Sequence, residues 1–238
     1  MTEQQKFSII ESGKQYFREI IIPKHLENMT KLNLSDFNIN PFTVNYLAAF
    51  LCGNTEPLSL AKALVYPRVL GTSISTSFGT HLQDFIAGVR EITSSGSAVS
   101  GLDIEFIDAL DGRKKYCQCK AGPTTINKDD VDTILSHFSQ FKGIARQNKL
   151  RVYDDDLIVG VLYGSQSKLS AFYRTIGTTY PVYCGSEFWE HLTGDKSFYL
   201  RLARAFGDVV EEEKIDGSQF IEKTIKKITK EIEKKGII

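Results

Sequence analysis

Apolar positions recur at helical spacing along the first third of the chain. Phe7, Ile10, Tyr16, Phe17 and Ile20 to Ile22 form one stripe, which predicts a helical stretch over residues 3–31 interrupted by Gly13 and then by Pro23. Ser35-Asp36 are a candidate cap for the next helix. The run PFTVNYLAAFLC from Pro41 to Cys52 is apolar at the same spacing, with proline near its start and Gly53-Asn54 after its end, and predicts a buried helix. Further helices are predicted over residues 59–70, where Pro67 breaks the regularity, and over residues 76–89, starting near Ser77. His81, Gln83 and Asp84 ride on the latter, and a solvated helix face accounts for them as readily as metal or water positioning.

The period changes from helical to two after the SSGSAVSG loop. From Leu102 to Ile107, residues Leu102, Ile104 and Phe106 fall on one side, and Asp103, Glu105 and Ile107 on the other. From Tyr116 to Lys120, Cys117 and Cys119 share a side, opposite Tyr116, Gln118 and Lys120. Asp111-Gly112 between the runs favours a tight two-residue hairpin turn. That turn pairs Asp103 with Lys120 and Glu105 with Gln118, gathering carboxylates, an amide and an ammonium on one face. The other face, of Leu, Ile, Phe and Cys, suits packing against a helix. Ala121-Gly122 permit close backbone approach. This is the layout of a metal-dependent nuclease site, and equally of an ordinary hairpin with a solvated polar face; spacing does not choose between them.

Beyond the hairpin, residues 129–147 predict an amphipathic helix capped by Asp129 or Asp130, with Val131, Ile134, Leu135, Phe138 and Phe141 inward. Residues 157–163, LIVGVLY, are apolar on both faces, as in a central strand covered from both sides. A strand near Val182-Tyr183 and a helix over residues 187–192 come next. The tail over residues 209–235 is rich in Glu and Lys at i,i+4 spacing, with Phe220, Ile221, Ile225, Ile228 and Ile232 in one stripe. It predicts a charged surface helix whose stripe packs on the core or on a second subunit.

With 238 residues, one domain with a large core is expected: an N-terminal helical region (1–72), a core (73–190) and a C-terminal helical region (191–238). Lys plus Arg and Asp plus Glu are 29 each, so nucleic-acid affinity must come from local patches rather than net charge. Arg113-Lys114-Lys115 with Lys120 and Lys128 are candidates, although a solvated hairpin tip explains the first three. The four cysteines lack paired zinc-site spacing and no signal peptide precedes them, which fits a reducing cytoplasm. No apolar run reaches membrane-spanning length, so a soluble protein is expected.

The order of helix, strand with Asp103, hairpin, strand with Gln118-Cys119-Lys120, helix and buried strand resembles the PD-(D/E)XK nuclease core. Several short strings, in order along residues 40–190, narrow the likeness. They include Asn40-Pro41-Phe42, Pro67-Arg68-Val69-Leu70-Gly71, Ser77-Phe78-Gly79, Lys120-Ala121-Gly122, Val159 to Gly164, Tyr173-Arg174, Val182-Tyr183 and Glu187-Phe188-Trp189. Together they look like one subgroup of type II restriction endonucleases, the PmeII and EcoO-type enzymes, whose best-known member cuts RGGNCCY. The departure is Gln118, where most of the wider family has Glu or Asp; an amide ligates a hard cation but brings no charge. Glu105, on the same face, is the natural substitute.

The resemblance implies an α/β restriction-endonuclease-like fold, a mixed central sheet flanked by helices, with an N-terminal helical region and a C-terminal helix. It implies Mg²⁺ held by Asp103, Gln118, the carbonyl of Cys119 and Glu105, with Lys120 orienting or deprotonating water or stabilising developing charge. It implies double-stranded DNA as substrate, a homodimer with the C-terminal helix as candidate interface, and a DNA methyltransferase as genetic partner. Thr124, Thr125, Asn127, Lys128, Arg113 and Lys114 are the candidate DNA contacts. A repair or nicking nuclease of the same fold, or a non-cleaving DNA-binding relative, are the alternatives.

Overall fold

The computed structural model describes residues 1–89 and 101–236. The loop expected to lead into the first strand therefore lies, except for Gly101, outside the described residues. In chain order the elements are α1 (Glu3–Tyr16), α2 (Ile22–Lys31), α3 (Pro41–Cys52), α4 (Pro57–Pro67), α5 (Ile74–Gly88), β1 (Ile104–Ile107), β2 (Lys114–Lys120), α6 (Lys128–Gln147) and β3 (Leu157–Val161). After these come α7 (Ala171–Ile176), β4 (Val182–Cys184), α8 (Ser186–Thr193), α9 (Phe198–Glu212) and α10 (Gly217–Lys235). Two compact units divide the chain: Met1–Tyr16 with Gly79–Val209, and Phe17–Phe78 with Val210–Ile238.

The first unit is built on a four-stranded mixed sheet in the order β1-β2-β3-β4. β1 runs antiparallel to β2, and β2, β3 and β4 are parallel. Parallel neighbours need crossover connections, and α6 and α7 supply them. β3 is buried along its whole length, as its two-sided apolar run predicts. α6 starts one residue earlier than expected, because Asn127 rather than an aspartate caps it: Asn127 Oδ1 accepts the Asp130 N–H at 3.0 Å, and Asp130 Oδ2 accepts the Asn127 N–H at 2.9 Å. Its apolar face, Val131, Ile134, Phe138 and Phe141, packs with Leu157, Val159 and Val161 of β3.

The opposite sheet face is closed by α8. Phe106 meets Phe188 edge to face at 6.4 Å between ring centroids. Phe188 also fills the space where a side chain at Gly160 would stand. Gly160→Ala is expected to push that ring out of a close-packed interior and to destabilise the unit by about 1–3 kcal/mol, read as a lower urea midpoint with unchanged slope. An unchanged midpoint would mean that this packing yields freely.

The second unit is helical. Leu60, Ala61 and Val65 of α4, Val44 and Ala48 of α3, Met29 of α2, and Ile225, Ile228 and Ile232 of α10 form its core. The predicted N-terminal stretch is broken by a π-helical turn at Phe17–Ile21 rather than at Gly13, and Pro23 falls in the first turn of α2, where its missing N–H costs nothing. Two sequence expectations are corrected in this unit. The tail is two helices, separated where Asp216 Oδ1 accepts the Ser218 N–H at 3.0 Å to cap α10. Its isoleucine stripe is spent on the unit's own core, which disposes of the second-subunit alternative for that face. The second correction concerns α3: its bounds are as predicted, with Gly53 at φ 75° as the left-handed stop, but only Val44 and Ala48 are buried. Phe42, Tyr46, Phe50 and Leu51 are exposed. A run with no polar face reads as buried, yet this helix has only one covered side.

Candidate active site

β1 and β2 present the predicted faces but in another register. Ile104 pairs with Cys117 and Glu105 with Tyr116. The Asp103 N–H donates to the Cys117 carbonyl at 2.9 Å, which continues the ladder and sets Asp103 beside Gln118 rather than Lys120. The turn is longer than two residues. The Asp108 N–H bonds the Arg113 carbonyl at 2.9 Å, Asp108 Oδ1 accepts the Leu110 N–H at 2.9 Å, and Gly112 takes φ 71°. The slip is by two, and because side chains alternate with period two, every residue keeps its face while its partner changes.

The polar face is not open. α6 covers it: Tyr116 packs on Phe141 with centroids 4.4 Å apart, and Gln118 is buried, its Nε2 2.7 Å from His137 Nδ1 and also donating to the Gly101 carbonyl. Those contacts occupy the amide nitrogen and leave its oxygen as the atom available for ligation. Cys119 N–H donates to Asp103 Oδ2 at 2.6 Å, and the Cys119 carbonyl accepts from Gln83 Nε2 at 3.0 Å. Gln83 and His137 thus belong to the site's frame. The sequence puts Gln83 on the right helix, but nothing in the spacing announces either contact, since each depends on how a helix is rotated against the sheet.

Asp103 is accessible at its outer edge. Burial nevertheless holds its carboxyl above the ordinary value, outweighing the downward pull of the Cys119 N–H, of Lys120 and of His137. Lys120 therefore lies within electrostatic reach of Asp103. Cys117 and Cys119 point to the opposite, covered face, their sulfurs 3.9 Å apart, and burial pushes the Cys117 thiol well above its usual range. Past Lys120, a side chain at Gly122 would collide with the Tyr163 ring, and Tyr173 Oη donates to the Gly122 carbonyl at 2.9 Å.

The other predicted site residues are engaged elsewhere or stand free of the cluster. Glu105 is nearly buried and bonded to Lys114 at 2.7 Å. Arg113 holds Asp156 at 2.5 Å. Thr125 Oγ1 bridges the Gly122 N–H and carbonyl at 3.2 and 2.9 Å, and Asn127 is the α6 cap, so both serve the backbone. Thr124 and Lys128 are exposed.

Among the described residues no three His, Cys, Asp or Glu side chains are grouped to hold a metal ion. The donors that do converge are oxygens: the Asp103 carboxylate, the Gln118 amide and the Cys119 carbonyl, whose second lone pair is not used by Gln83. Such a set suits a hard divalent cation that keeps waters and takes substrate phosphate oxygens as further ligands. With one carboxylate, it is a weak site until a phosphate adds its charge. Glu105 joins it only by giving up Lys114.

The geometry defines a mixed α/β protein with an acid, an amide and a lysine gathered at the carboxyl end of a central strand. A family model described as type II restriction endonuclease EcoO109I matches residues 21–214, and the chain belongs to that family of DNA-cleaving hydrolases. No curated protein matches the chain. Among the described residues no helix is long and apolar enough to cross a membrane.

Proposed function

We propose that the sheet is a PD-(D/E)XK core and that the protein is a Mg²⁺-dependent restriction endonuclease cutting both strands of DNA at a short palindromic site, with a GGNCC-like core as the first target to try. The observation that carries this reading is the pairing of Asp103 with Gln118 on the strand that ends in Lys120, within a chain of the restriction endonuclease family. Asp103, the Gln118 oxygen and the Cys119 carbonyl would hold the cation, which when bound supplies charge neutralisation at the scissile phosphate and a more acidic water. The chain's own residues do the rest. Cys119 N–H fixes the Asp103 carboxylate, His137 and the Gly101 carbonyl hold the Gln118 amide, and Gln83 steadies the Cys119 carbonyl. Lys120, within electrostatic reach of Asp103, would orient the attacking water or offset charge developing on the phosphate.

Defence of a host genome then requires a DNA methyltransferase acting on the same site, and cutting two strands calls for two copies of the chain. The test is to incubate the protein with unmethylated phage DNA, with and without Mg²⁺, and to map the fragment ends by sequencing. Discrete Mg²⁺-dependent fragments sharing one short motif are expected. Random nicking points instead to a repair-type nuclease, and intact DNA despite binding points to a non-cleaving relative; either result overturns the proposal.

A further inference from the structure

The exposed face of α3 has no role in the site, and its composition narrows what it can meet. Phe42, Tyr46 and Phe50 are 88%, 65% and 78% exposed, with the Tyr46 and Phe50 rings stacked at 6.0 Å, and Ala49 and Leu51 are exposed beside them. No charged residue occurs between Pro41 and Cys52. DNA affinity needs Lys or Arg to neutralise phosphates, and an interfacial membrane helix carries them on its polar face, so this surface suits neither. It suits protein.

The stripe also matches itself. Three rings spaced by four residues are symmetric about Tyr46, so a two-fold axis through that position lays an identical helix antiparallel, with Phe42 against the partner's Phe50 and Tyr46 against the partner's Tyr46. Ala49, small and next to the rings, lets the two helices approach. Each aromatic ring covers about 150–250 Å² when buried, so the three offer about 450 Å² per copy at their exposure. With Ala49 and Leu51, two copies would bury about 1,000 Å² in all, the lower bound for a specific interface. The isoleucine stripe of α10, the apolar face that the sequence offered to a second subunit, is already taken by the core.

We infer that α3 is the homodimer interface, joining two copies through Phe42, Tyr46 and Phe50. The inference rests on the proposed double-strand cleavage for the need of a second copy. The described residues hold one acid, amide and lysine cluster per chain, and cutting a duplex uses one per strand.

Sedimentation velocity of the full chain at micromolar concentration is expected to give twice the 26.7 kDa chain mass. Phe42→Glu/Phe50→Glu is expected to weaken self-association by about 100-fold or more, because each interface would bury four carboxylates. Its circular dichroism should stay as in the parent, since the replaced rings are exposed within one copy, while its melting temperature should lose the concentration dependence that dimerisation gives the parent. Tyr46→Cys in a Cys52→Ser background should cross-link to a homodimer under mild oxidation, the other three cysteines being buried. A monomeric parent, a glutamate variant that dimerises as the parent does, or a Tyr46→Cys variant that fails to cross-link would each overturn the inference. Neither DNA nor metal enters these measurements, so their failure is distinct from failure of the nuclease reading, which stands on the Mg²⁺-dependent cleavage of phage DNA.

Discussion

Asp103→Asn is expected to abolish cleavage, by at least about 10³-fold, while making the metal-free protein more stable at neutral pH. The activity loss follows from the donor set: Asp103 is its single carboxylate, and an amide in its place leaves no negative charge among the cation's protein donors. The stability gain follows from the direction of the Asp103 shift. Burial is the largest influence on this carboxyl and raises its pKa, so the folded protein holds the proton to higher pH than the unfolded chain does. Stability contributed by this group is present while it is protonated and declines as pH rises from the ordinary carboxylate range through the folded value. Asparagine removes that decline and still accepts the Cys119 N–H through its carbonyl oxygen. Melting temperatures of the two proteins, measured without divalent metal, should therefore diverge as pH rises above the carboxylate range and converge below it. A folded Asp103→Asn protein that cuts DNA at the parent rate would remove this site from consideration. One that melts lower than the parent at neutral pH would show that the carboxylate is stabilised where it stands.

The hairpin shows what a sequence can and cannot disclose about such a site. Alternation alone assigns Asp103, Glu105, Gln118 and Lys120 to one face, and that assignment survives because a slip of two residues cannot move a side chain across a sheet. The register misleads because Asp111-Gly112 has the composition of a two-residue turn. The turn is governed instead by Asp108, whose carboxylate and backbone close a longer loop. The residues that complete the frame are not legible at all. His137 lies on α6, whose rotation about its axis is set by Phe138, Phe141 and their core contacts, and Gln83 lies on α5, whose buried side is marked by Phe85 and Ile86. The α3 helix misleads in the opposite sense: hydrophobicity reports that a face avoids water, not which molecule supplies the cover.

The triplet Arg113-Lys114-Lys115 reads as a basic hairpin tip, but Lys115 is almost fully buried, and Lys115→Met is expected to be more destabilising than Gly160→Ala. The Lys115 ammonium lies 2.6 Å from Asp111, 3.8 Å from Asp156 and 3.9 Å from Asp108, and donates to the Asp155 carbonyl at 3.1 Å. Asp108 and Asp156 are themselves buried, and their other side-chain partners are His191 Nδ1 at 2.7 Å and Arg113 at 2.5 Å. Methionine keeps the stem's apolar contacts and removes the charge, which leaves two interior carboxylates short of a cation. Breaking a buried ion pair from one side costs about 3–5 kcal/mol, most of it the penalty on the charge left behind. A partial rescue is therefore expected. Asp108→Asn in the Lys115→Met background removes the stranded charge, and a double-mutant cycle by urea denaturation should return a coupling of about 1–3 kcal/mol. The consequence reaches the site through β2. Lys115 is fastened at one end of the strand that carries Gln118, Cys119 and Lys120 at the other, so the network pins the strand paired on both sides. Loss of stability without rescue by Asp108→Asn would mean that Lys115 acts by filling space rather than by its charge.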